Sequence, residues 1–389
     1  MINLMTARQA ADRLGIKLDT LYAYVSRGRL RSVTLPGSRE RRYRLEDVEA
    51  LLDMRPGEKL VRRAESQALM PVIGSSICLI ENGRLYYRGK DAVRLSDSAT
   101  LEDVAALLWQ ANSDPVGVDE VSNEISAAGP IERCQIRLAT LAGKDLAALD
   151  LARTGVIRTG RRILRELTGA IAQTSPSAGL VHHRLALAWK LNRAGVDILR
   201  RCLVLIADHE LNASTFVARC VASTGATPYA VVSAALGALS GRRHGGAAAR
   251  AEALFAEILR DGDPMAVMAG RLARGEDLPA FGHFLYPDGD PRAAAILGAL
   301  AGTLPEAHTL IAAAAAAGRR LTGHHPNVDF ALAAAATALG LPQNGGLILF
   351  ILGRTVGWIA HAIEQYESGM LIRPRARYLG PRPDETPPN

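Results

Sequence analysis

The stretch from residue 330 to residue 353 constrains the fold of this chain most strongly. It contains no charged residue. Pro342, Gln343 and Asn344 interrupt it near its middle, so it lacks the roughly 20 continuous apolar residues that a membrane span needs. We therefore expect two buried helices joined by a loop.

The overall composition favours a soluble, mainly helical protein. Of the 389 residues, 48% are apolar and only 5% are aromatic, and alanine is abundant, which favours closely packed helices over sheet. The four cysteines are scattered without zinc-ligand spacing or a disulfide framework, so we expect reduced thiols and no bound metal. The first 20 residues lack the charged start and apolar run of a signal peptide. We expect a cytoplasmic protein with no membrane partner.

Positive charge is concentrated near the N-terminus. Residues 1–65 contain 14 Lys and Arg against 9 Asp and Glu, a net charge of +5, whereas the whole chain carries +7. This asymmetry predicts a small basic module attached to a nearly neutral body. We assign the module to residues 1–56 and a charged linker to residues 57–70.

The basic module has the pattern of two short helices and a hairpin. Residues 6–15 and 17–26 show helical apolar spacing, and Thr6 is positioned to cap the first helix. Alternating runs at residues 27–34 and 39–43 predict a β-hairpin, or wing.

The module resembles the winged helix-turn-helix of MerR-type and excisionase-type proteins over about residues 3–55. The resemblance lies in Leu-Gly-Ile, Thr-Leu-Tyr-Ala-Tyr and Tyr-Arg-Leu-Glu-Asp-Val-Glu-Ala-Leu. It implies that a basic helix and wing contact DNA phosphates and enter a groove. A solvated basic face on a protein-interaction domain is the alternative interpretation. The candidate DNA contacts are Arg27, Arg29, Arg31, Arg39, Arg41 and Arg42.

The body of the chain begins with a hairpin signal and continues as helix. Apolar runs at residues 77–80 and 85–87 flank Asn82-Gly83, the pair typical of a two-residue hairpin turn. Beyond it the apolar residues recur with helical periodicity, and no Rossmann or P-loop glycine pattern is present. Residues 203–222 predict a buried helical region.

Three histidines stand in unusual local sequences. His209 lies in Asp-His-Glu-Leu-Asn-Ala-Ser-Thr beside an apolar run, where polar groups are costly to bury unless they are paired or used. His244 precedes two glycines, which permit positive φ and close approach of a ligand or of another backbone segment. His283 follows a glycine at a loop. The alternatives are a structural hydrogen-bond network, a glycine-capped helix end and an ordinary loop histidine.

Four charged residues accompany these histidines. Asp329 stands where an extended Pro-Asn segment meets an apolar helix, and an ordinary N-cap is the alternative. Arg354 lies on a very apolar helix and is expected to face an anion. Arg292 follows Gly-Asp-Pro. Arg373 begins the run Arg-Pro-Arg-Ala-Arg, for which solvated charge is the alternative.

Six ordered motifs resemble those of bacterial and archaeal citrate synthases over about residues 71–381. They are Asp-His-Glu-Leu-Asn-Ala-Ser-Thr (208–215), Gly-Arg-Arg-His-Gly-Gly-Ala (241–247), Phe-Gly-His…Gly-Asp-Pro-Arg (281–292), Pro-Asn-Val-Asp-Phe (326–330), Gly-Arg-Thr-Val-Gly-Trp-Ile-Ala-His (353–361) and Arg-Pro-Arg-Ala-Arg-Tyr (373–378). The resemblance implies a mainly α citrate synthase fold. It divides into a large domain, residues 71–242 and 335–389, and a small domain, residues 243–334. It also implies a homodimer whose small domain closes over the substrates.

The resemblance implies an acyltransferase that condenses acetyl-CoA, or another short acyl-CoA, with oxaloacetate or a related 2-oxo acid. CoA is then a co-substrate, with no permanently bound cofactor and no metal. The implied catalytic residues are Asp329 as base, His244 at the thioester oxygen and His283 at the ketone. The implied substrate-binding residues are His209, Arg292, Arg354 and Arg373, the last reaching across from the partner subunit.

Three positions depart from the family pattern. Ile206 stands where relatives often have histidine, Phe284 where many bacterial members have arginine, and Ala248 where asparagine is usual. Each removes a polar group near the implied site, so a less polar acid such as 2-oxobutyrate or pyruvate is an alternative acceptor. These departures and the fused module also motivate a second hypothesis, a DNA-binding transcription regulator with a citrate synthase-like body as metabolite sensor and dimeriser. The two functions are compatible in one protein.

Overall fold

The chain divides into two units, Met1–Ile73 and Gly74–Asn389, and each has its own buried apolar cluster. The computed structural model describes residues 4–14, 16, 18–26, 30, 32–34, 41–45, 47–48, 73–112, 129–174 and 179–375.

In its described residues, the first unit combines a pair of helices with a three-stranded sheet, and residues 45 and 47–48 are also helical. Its elements are β1 (Leu4–Thr6), α1 (Ala7–Leu14), α2 (Leu18–Ser26), β2 (Ser32–Thr34) and β3 (Arg41–Arg44). The strands pair antiparallel in the order β1-β3-β2. The predicted helix pair and hairpin are confirmed, and β1 adds an edge strand that the sequence patterns did not predict.

Thr6 caps α1 as predicted. Gln9 N–H donates to Thr6 Oγ1 at 3.2 Å, and Gln9 Oε1 accepts from Thr6 N–H at 2.9 Å. This reciprocal pair satisfies donors that a helix start leaves free. The core of the unit consists of Ala10, Ala11, Leu14, Leu21, Leu30, Tyr43 and Val48. The apolar faces of both helices therefore pack together with the inward side of β3.

The second unit begins with the predicted hairpin, β4 (Cys78–Glu81) and β5 (Arg84–Tyr87). Asn82 and Gly83 have φ angles of 50° and 71°, the left-handed values that a two-residue hairpin turn requires. A short third strand, β6 (Lys90–Asp91), pairs with β5.

Helices build the rest of the described body. They are α3 (Ala92–Leu95), α4 (Leu101–Trp109), α5 (Pro130–Ala142), α6 (Arg153–Ala172), α7 (Val181–Ala188), α8 (Arg193–Leu205), α9 (Ala213–Ala222), α10 (Pro228–Leu239), α11 (Gly246–Asp261), α12 (Pro264–Ala273), α13 (Pro291–Thr303), α14 (Pro305–Thr322), α15 (Val328–Ala338) and α16 (Gly345–Ser368), with a 3-10 turn at Leu146–Leu149. The prediction of a mainly helical body is confirmed.

Helix α16 is the central element of this body. It packs against α4, α6, α8, α9, α10, α11 and α15. With α15 it forms the two helices and the connecting loop that the uncharged stretch predicted. By length and composition α16 could cross a membrane, but its apolar window is 100% buried inside the protein, as in the core helix of a globular fold.

The segment at residues 203–222, predicted to be a buried helical region, is helical at both ends and is interrupted between them. Helix α8 ends at Leu205, and α9 begins at Ala213. Asn212 caps α9, with its Oδ1 accepting from Thr215 N–H at 3.1 Å. The motif that carries the histidine is therefore a buried loop between two helices.

Two glycines of α16 make room for this loop. A Cβ on Gly353 would come within 2.5 Å of Ile206 Cγ1, and one on Gly357 would collide with Ala207 O and with the carboxylate of Asp208. Residues four apart share one helix face, so both glycines face the loop. The loop backbone packs directly on α16, which explains why its surroundings are as apolar as those of a core helix.

Candidate active site

Tyr87 of β5 anchors the loop that carries His209. Its hydroxyl lies 3.1, 3.0 and 3.3 Å from the carbonyl oxygens of Val204, Leu205 and Asp208. The last carbonyls of a helix have no partner within the helix, so this hydroxyl supplies one at the end of α8. The loop is therefore fixed between the hairpin and α16.

His209 contacts two residues of the segment around His283. Its Nε2 lies 3.0 Å from Tyr286 Oη, and its ring stands edge-on to His283 with centroids 5.2 Å apart. Burial lowers the pKa of His209 well below 6.5, and the charges of Arg292 and Arg354 lower it further. His209 is therefore a neutral imidazole at pH 7.

The segment from Gly241 to Gly246 turns the chain from α10 into α11 and carries His244. Gly245 N–H donates to Leu239 O at 2.9 Å. Neither Gly245 nor Gly246 has positive φ. A Cβ on Gly245 would lie 2.5 Å from Leu239 O. Of the two roles considered for these glycines, the structure supports close backbone packing and not left-handed conformation.

Ser214 of α9 holds His244. Its Oγ lies 2.8 Å from His244 Nε2, accepts from Trp358 Nε1–H at 3.2 Å, and lies 3.0 Å from Asn212 Oδ1. The hydroxyl has one proton, and Asn212 Oδ1 and His244 Nε2 both lie within its reach. The tautomer in which Ser214 donates to Nε2 carries the histidine proton on Nδ1. Burial, and then the charge of Arg354, lower the pKa of His244 to about 4, so it is neutral at pH 7.

Two residues with positive φ shape the loop that carries His283. Ala280 has φ 70° and Gly282 has φ 79°. Asn327 N–H donates to Ala280 O at 3.0 Å, and Asn327 Nδ2 donates to Gly282 O at 3.0 Å. The His283 loop is thereby pinned to the residues immediately before Asp329.

The same loop sets the tautomer of His283. Its Nδ1 accepts from Leu285 N–H at 3.2 Å, so the neutral ring carries its proton on Nε2. Burial, and then the charge of Arg292, lower the pKa of His283 to about 4. Phe284 stacks on the ring with centroids 5.2 Å apart. His283 is therefore a neutral hydrogen-bond donor through Nε2.

Arg292 forms a buried ion pair with Asp290. Its Nε and Nη2 donate to the two carboxylate oxygens at 3.0 and 2.8 Å, and the side chains are 2% and 1% exposed. Asp290 Oδ2 also accepts from Val328 N–H at 3.0 Å, which links the start of α13 to the start of α15. Burial opposes ionisation of Asp290, but the charge and hydrogen bonds of Arg292 hold its pKa below 3.8. The pair stays ionised and carries no net charge.

Asp329 is the second residue of α15. Asn327 caps this helix, with its Oδ1 accepting from Asp329 N–H at 3.0 Å, so the carboxylate of Asp329 is not the cap. Burial raises the pKa of Asp329 from 3.8 to about 6, although the charge of Arg292 opposes the rise. The residue keeps some surface exposure. It is therefore a reachable but poorly hydrated carboxylate, ionised at pH 7 and more basic than a solvated one.

Arg354 lies on the buried surface of α16. Its Nε donates to Ile206 O at 2.9 Å, and its guanidinium carbon lies 4.7 Å from the centre of the Phe350 ring. Its Nη1 is buried and has no hydrogen-bond partner among the described residues. A buried guanidinium N–H without a partner is costly, so this atom is suited to an anionic ligand.

The charges of Arg292 and Arg354 connect these groups. Burial is the largest cause of the pKa shift at each of four site residues. The charge of Arg292, of Arg354 or of both lowers each of these pKa values: His209, His244, His283 and Asp329. The site therefore combines three neutral imidazoles, one basic carboxylate and one unpartnered guanidinium nitrogen. Such a set can remove a proton from a weak carbon acid, donate to developing oxyanions and bind a carboxylate.

Protein-family models match both units of the chain. The model of the citrate synthase C-terminal domain matches residues 162–375, more than half of the sequence. The chain belongs to the citrate synthase family. A helix-turn-helix domain model matches residues 4–56. Both resemblances found in the sequence are thereby confirmed.

Curated members of the citrate synthase family match most of the chain. A Mycobacterium tuberculosis protein provisionally named citrate synthase 2 is 44% identical over 334 residues, which cover 78% of this chain and 88% of that protein. The citrate synthase of Haloferax volcanii is 33% identical and covers 77% of this chain and 90% of its own length. The 2-methylcitrate synthase of Mycobacterium tuberculosis is 29% identical, and the match covers 77% of this chain and 86% of that protein.

Solved structures of citrate synthases share the fold. The enzyme of Thermoplasma acidophilum, in a ternary complex with carboxymethyl coenzyme A and oxaloacetate, superposes with a TM-score of 0.67 at 24% identity, covering 84% of this chain and 98% of its own. The enzyme of Thermotoga maritima superposes with a TM-score of 0.61 at 25% identity, covering 82% of this chain and 96% of its own. The predicted citrate synthase fold is confirmed.

Arg373 differs from the other six predicted site residues. Among the residues that the structure describes, it is exposed and has neither a hydrogen bond nor an ion pair. The single chain does not bring it into the hydrogen-bonded site. Of the candidate DNA contacts, Arg27, Arg29, Arg31 and Arg39 lie outside the described residues. Arg41 is exposed on β3, and Arg42 is partly buried there.

The three departures from the family pattern lie in different surroundings. Ile206 is fully buried against Gly353, and its carbonyl oxygen accepts from Arg354. Ala248 is fully buried in α11. Phe284 is 54% exposed although it stacks on His283. An exposed apolar ring therefore adjoins one imidazole of the site.

Sequence reasoning missed the residues that orient the site. Ser214 and Tyr286 each contact a predicted histidine, and both lie inside segments already singled out. His361 was also missed. Its Nε2 lies 3.3 and 3.4 Å from the two oxygens of Asp208, and its Nδ1 accepts from Arg219 at 3.3 Å. The available signal was a polar side chain in an apolar helix or loop, which needs a partner.

Proposed function

We propose that the chain is a citrate synthase-like acyltransferase. It joins the α-carbon of acetyl-CoA, or of another short acyl-CoA, to the carbonyl carbon of oxaloacetate or a related 2-oxo acid. Hydrolysis of the thioester then releases CoA. The observation that carries this proposal is the combination of a basic, poorly hydrated carboxylate, Asp329, with two neutral imidazoles, His244 and His283.

In this proposal Asp329 removes a proton from the α-carbon of the thioester. That carbon is a very weak acid, so the base must be ionised and poorly hydrated. A carboxylate with a pKa of about 6 is ionised at neutral pH and accepts a proton more readily than a solvated aspartate. A positioned base contributes on the order of 10²–10⁴-fold to the rate.

His244 and His283 stabilise the oxygens that gain charge. His244 donates from Nδ1 to the thioester oxygen, in the tautomer that results when Ser214 donates to Nε2. His283 donates from Nε2 to the ketone oxygen, since its Nδ1 is occupied by Leu285 N–H. One such donor aimed at a developing oxyanion contributes about 3–4 kcal/mol. Neutral imidazoles supply this stabilisation without adding positive charge near Asp329.

The acceptor acid binds at Arg354, Arg292 and His209, with Arg373 from the partner subunit of a homodimer. Support comes from the buried Nη1 of Arg354, which has no partner among the described residues. Arg292 is already neutralised by Asp290, so it contributes less net charge than a free arginine. With apolar Phe284 nearby, 2-oxobutyrate and pyruvate compete with oxaloacetate as candidate acceptors.

Closure of a small domain, residues 243–334, over the substrates completes the site in this proposal. His283 and Asp329 lie on segments joined by the two hydrogen bonds of Asn327, so they would move as one body. Closure excludes water from the reacting groups and limits wasteful hydrolysis of the acyl-CoA before the new carbon–carbon bond forms.

Release of the CoA thiol, followed with a thiol-specific reagent, tests this function. Acetyl-CoA and propionyl-CoA are each combined with oxaloacetate, 2-oxobutyrate and pyruvate. We expect thiol release that depends on the 2-oxo acid for at least one pair, and a loss of about 10²–10⁴-fold in Asp329→Asn. No release with any pair, in protein shown to be folded and dimeric, contradicts the proposal.

A second candidate function is DNA binding by the first unit. The helix-turn-helix match and the exposed Arg41 on β3 support it. A homodimer would present two such units to a pseudo-palindromic site. Mobility-shift assays over a salt series, with and without citrate or acyl-CoA, test it with Arg41→Ala as the weakened variant. We expect sequence-preferring binding that falls with salt, and its absence counts against a regulatory role.

A further inference from the structure

We propose that Tyr286 is a positioning residue for the acceptor acid. Its hydroxyl fixes the tautomer in which His209 meets the 2-oxo acid. The inference rests on the proposed function, because it names how one imidazole of that site recognises the acceptor.

Tyr286 is held in place by its neighbours and makes one contact through its hydroxyl. The residue is 2% exposed, and its Oη lies 3.0 Å from His209 Nε2. This contact is the hydrogen bond that the Tyr286 hydroxyl makes with the described residues. Its ring lies 5.1 Å from that of His283, and the guanidinium carbon of Arg292 lies 5.5 Å from its centre. The hydroxyl therefore has a fixed position and a fixed partner.

The direction of this hydrogen bond follows from the chemistry of the two groups. A phenol is a better donor than a neutral imidazole N–H, and an unprotonated imidazole nitrogen is a better acceptor than a phenol oxygen. Burial raises the pKa of Tyr286, so the phenol keeps its proton. Burial also keeps His209 neutral by lowering its pKa. Tyr286 therefore donates to Nε2, and His209 carries its own proton on Nδ1.

This tautomer decides what His209 offers to a ligand. The described residues provide no hydrogen bond to its Nδ1, so this N–H is left for the substrate. An N–H donates to the carbonyl or carboxylate oxygen of a 2-oxo acid, whereas the opposite tautomer would present a lone pair to that oxygen. Tyr286 acts through His209 and does not touch the acid itself.

The first test removes only the hydroxyl, in Tyr286→Phe. Binding of oxaloacetate, 2-oxobutyrate and pyruvate to the full chain is measured by isothermal titration calorimetry. We expect the dissociation constant of the preferred acid to rise about tenfold, the size of one lost buried hydrogen bond. In the kinetics, KM for the acid should rise more than kcat falls.

Tyr229→Phe is the matched control. Tyr229 is 0% exposed and its hydroxyl donates to Asp145 at 2.7 Å, outside the site. Asp145 keeps an ion pair with Arg162 at 3.2 Å, so this variant leaves no carboxylate without a partner. We expect its affinity for the acid to stay within about twofold of the parent chain.

Two substitutions of His209 separate a tautomer effect from a packing effect. In His209→Asn the amide nitrogen takes the place of Nδ1 and donates without help from Tyr286. In His209→Gln it takes the place of Nε2. We expect His209→Asn to bind the acid and to be insensitive to added Tyr286→Phe, and we expect His209→Gln to bind it poorly.

The outcomes distinguish failure of this inference from failure of the proposed function. If the unmodified chain binds none of the three acids, the proposed function fails and this inference fails with it. If the unmodified chain binds an acid and Tyr286→Phe binds it equally well, only this inference is wrong. It is also wrong if Tyr286→Phe weakens binding equally in the His209→Asn background, because Tyr286 then acts by packing. Thermal melting of each variant establishes that it is folded.

Discussion

Replacing Asp329 with its neutral isostere asparagine is expected to stabilise the folded protein while removing the base. Burial raises the pKa of this carboxyl from 3.8 to about 6. That rise corresponds to about 3 kcal/mol of stability lost when the buried carboxyl is ionised. The asparagine side chain carries no charge, so Asp329→Asn should recover most of this energy at neutral pH.

The gain should depend on pH in a defined direction. A carboxyl whose folded-state pKa lies above its unfolded value binds its proton more tightly when the protein is folded. The parent chain therefore loses stability as pH rises from 3.8 to about 6, and the loss is complete above that range. Relative to the parent chain, Asp329→Asn should gain about 1 kcal/mol at pH 4.5 and about 3 kcal/mol at pH 7.5.

Urea unfolding of the body at these two pH values measures the difference. Asp263→Asn is the control, because Asp263 is an exposed N-cap of α12 and asparagine caps equally well. The control should change the free energy of unfolding by less than about 0.5 kcal/mol at both pH values. If Asp329→Asn is no more stable than the parent at pH 7.5, or gains equally at both pH values, Asp329 does not lie in a poorly hydrated site.

Three further predictions concern the base, the tautomer of His244 and the loop against α16. The pH profile of kcat/KM for the acyl substrate should rise through about pH 6 as Asp329 ionises, and a midpoint near 4 would contradict the assignment. Ser214→Ala should lower kcat about tenfold by releasing the hydrogen bond to His244, and an unchanged kcat refutes that role. Gly357→Ala should destabilise the body by more than about 2 kcal/mol, because its Cβ collides with the loop. The control Gly298→Ala lies in open space on α13 and should be neutral or stabilising. Similar changes in the free energy of unfolding at both sites would refute the packing argument.

Local signals in the sequence were sufficient for much of the fold. The Thr6 cap, the turn at Asn82 and Gly83, and the pair of helices within residues 328–368 each depend on residues that are neighbours in the chain. Capping, turn geometry and helical periodicity act over a few residues, so the printed sequence contains the whole cause.

The break between α8 and α9 could not be predicted in the same way. Its apolar surroundings are indistinguishable from those of a helix, and the space for the loop comes from Gly353 and Gly357 on a distant helix. The role of Gly245 was also open, since glycine serves both close packing and positive φ. Such features depend on contacts between residues far apart in sequence.

In the candidate site, too, some features could be predicted from local sequence and others depend on contacts between residues far apart in the chain. The ordered motifs singled out the histidines, Asp329 and Arg354, because charged or polar residues in apolar segments need a reason to be there. The motifs did not indicate that Asp290 neutralises Arg292, or that Ser214 and Tyr286 orient the imidazoles. Those roles follow from three-dimensional contacts between separate elements.

Formation of a carbon–carbon bond is the central chemical claim, and ¹³C NMR tests it most directly. The full chain is incubated with acetyl-CoA labelled at the methyl carbon and with each candidate 2-oxo acid. We predict a new resonance from a labelled methylene carbon that is bonded to a hydroxyl-bearing carbon. This resonance should grow in step with CoA release and should be absent in Asp329→Asn. Release of labelled acetate alone, or no reaction of the folded chain with any of the acids, would contradict the proposed condensation.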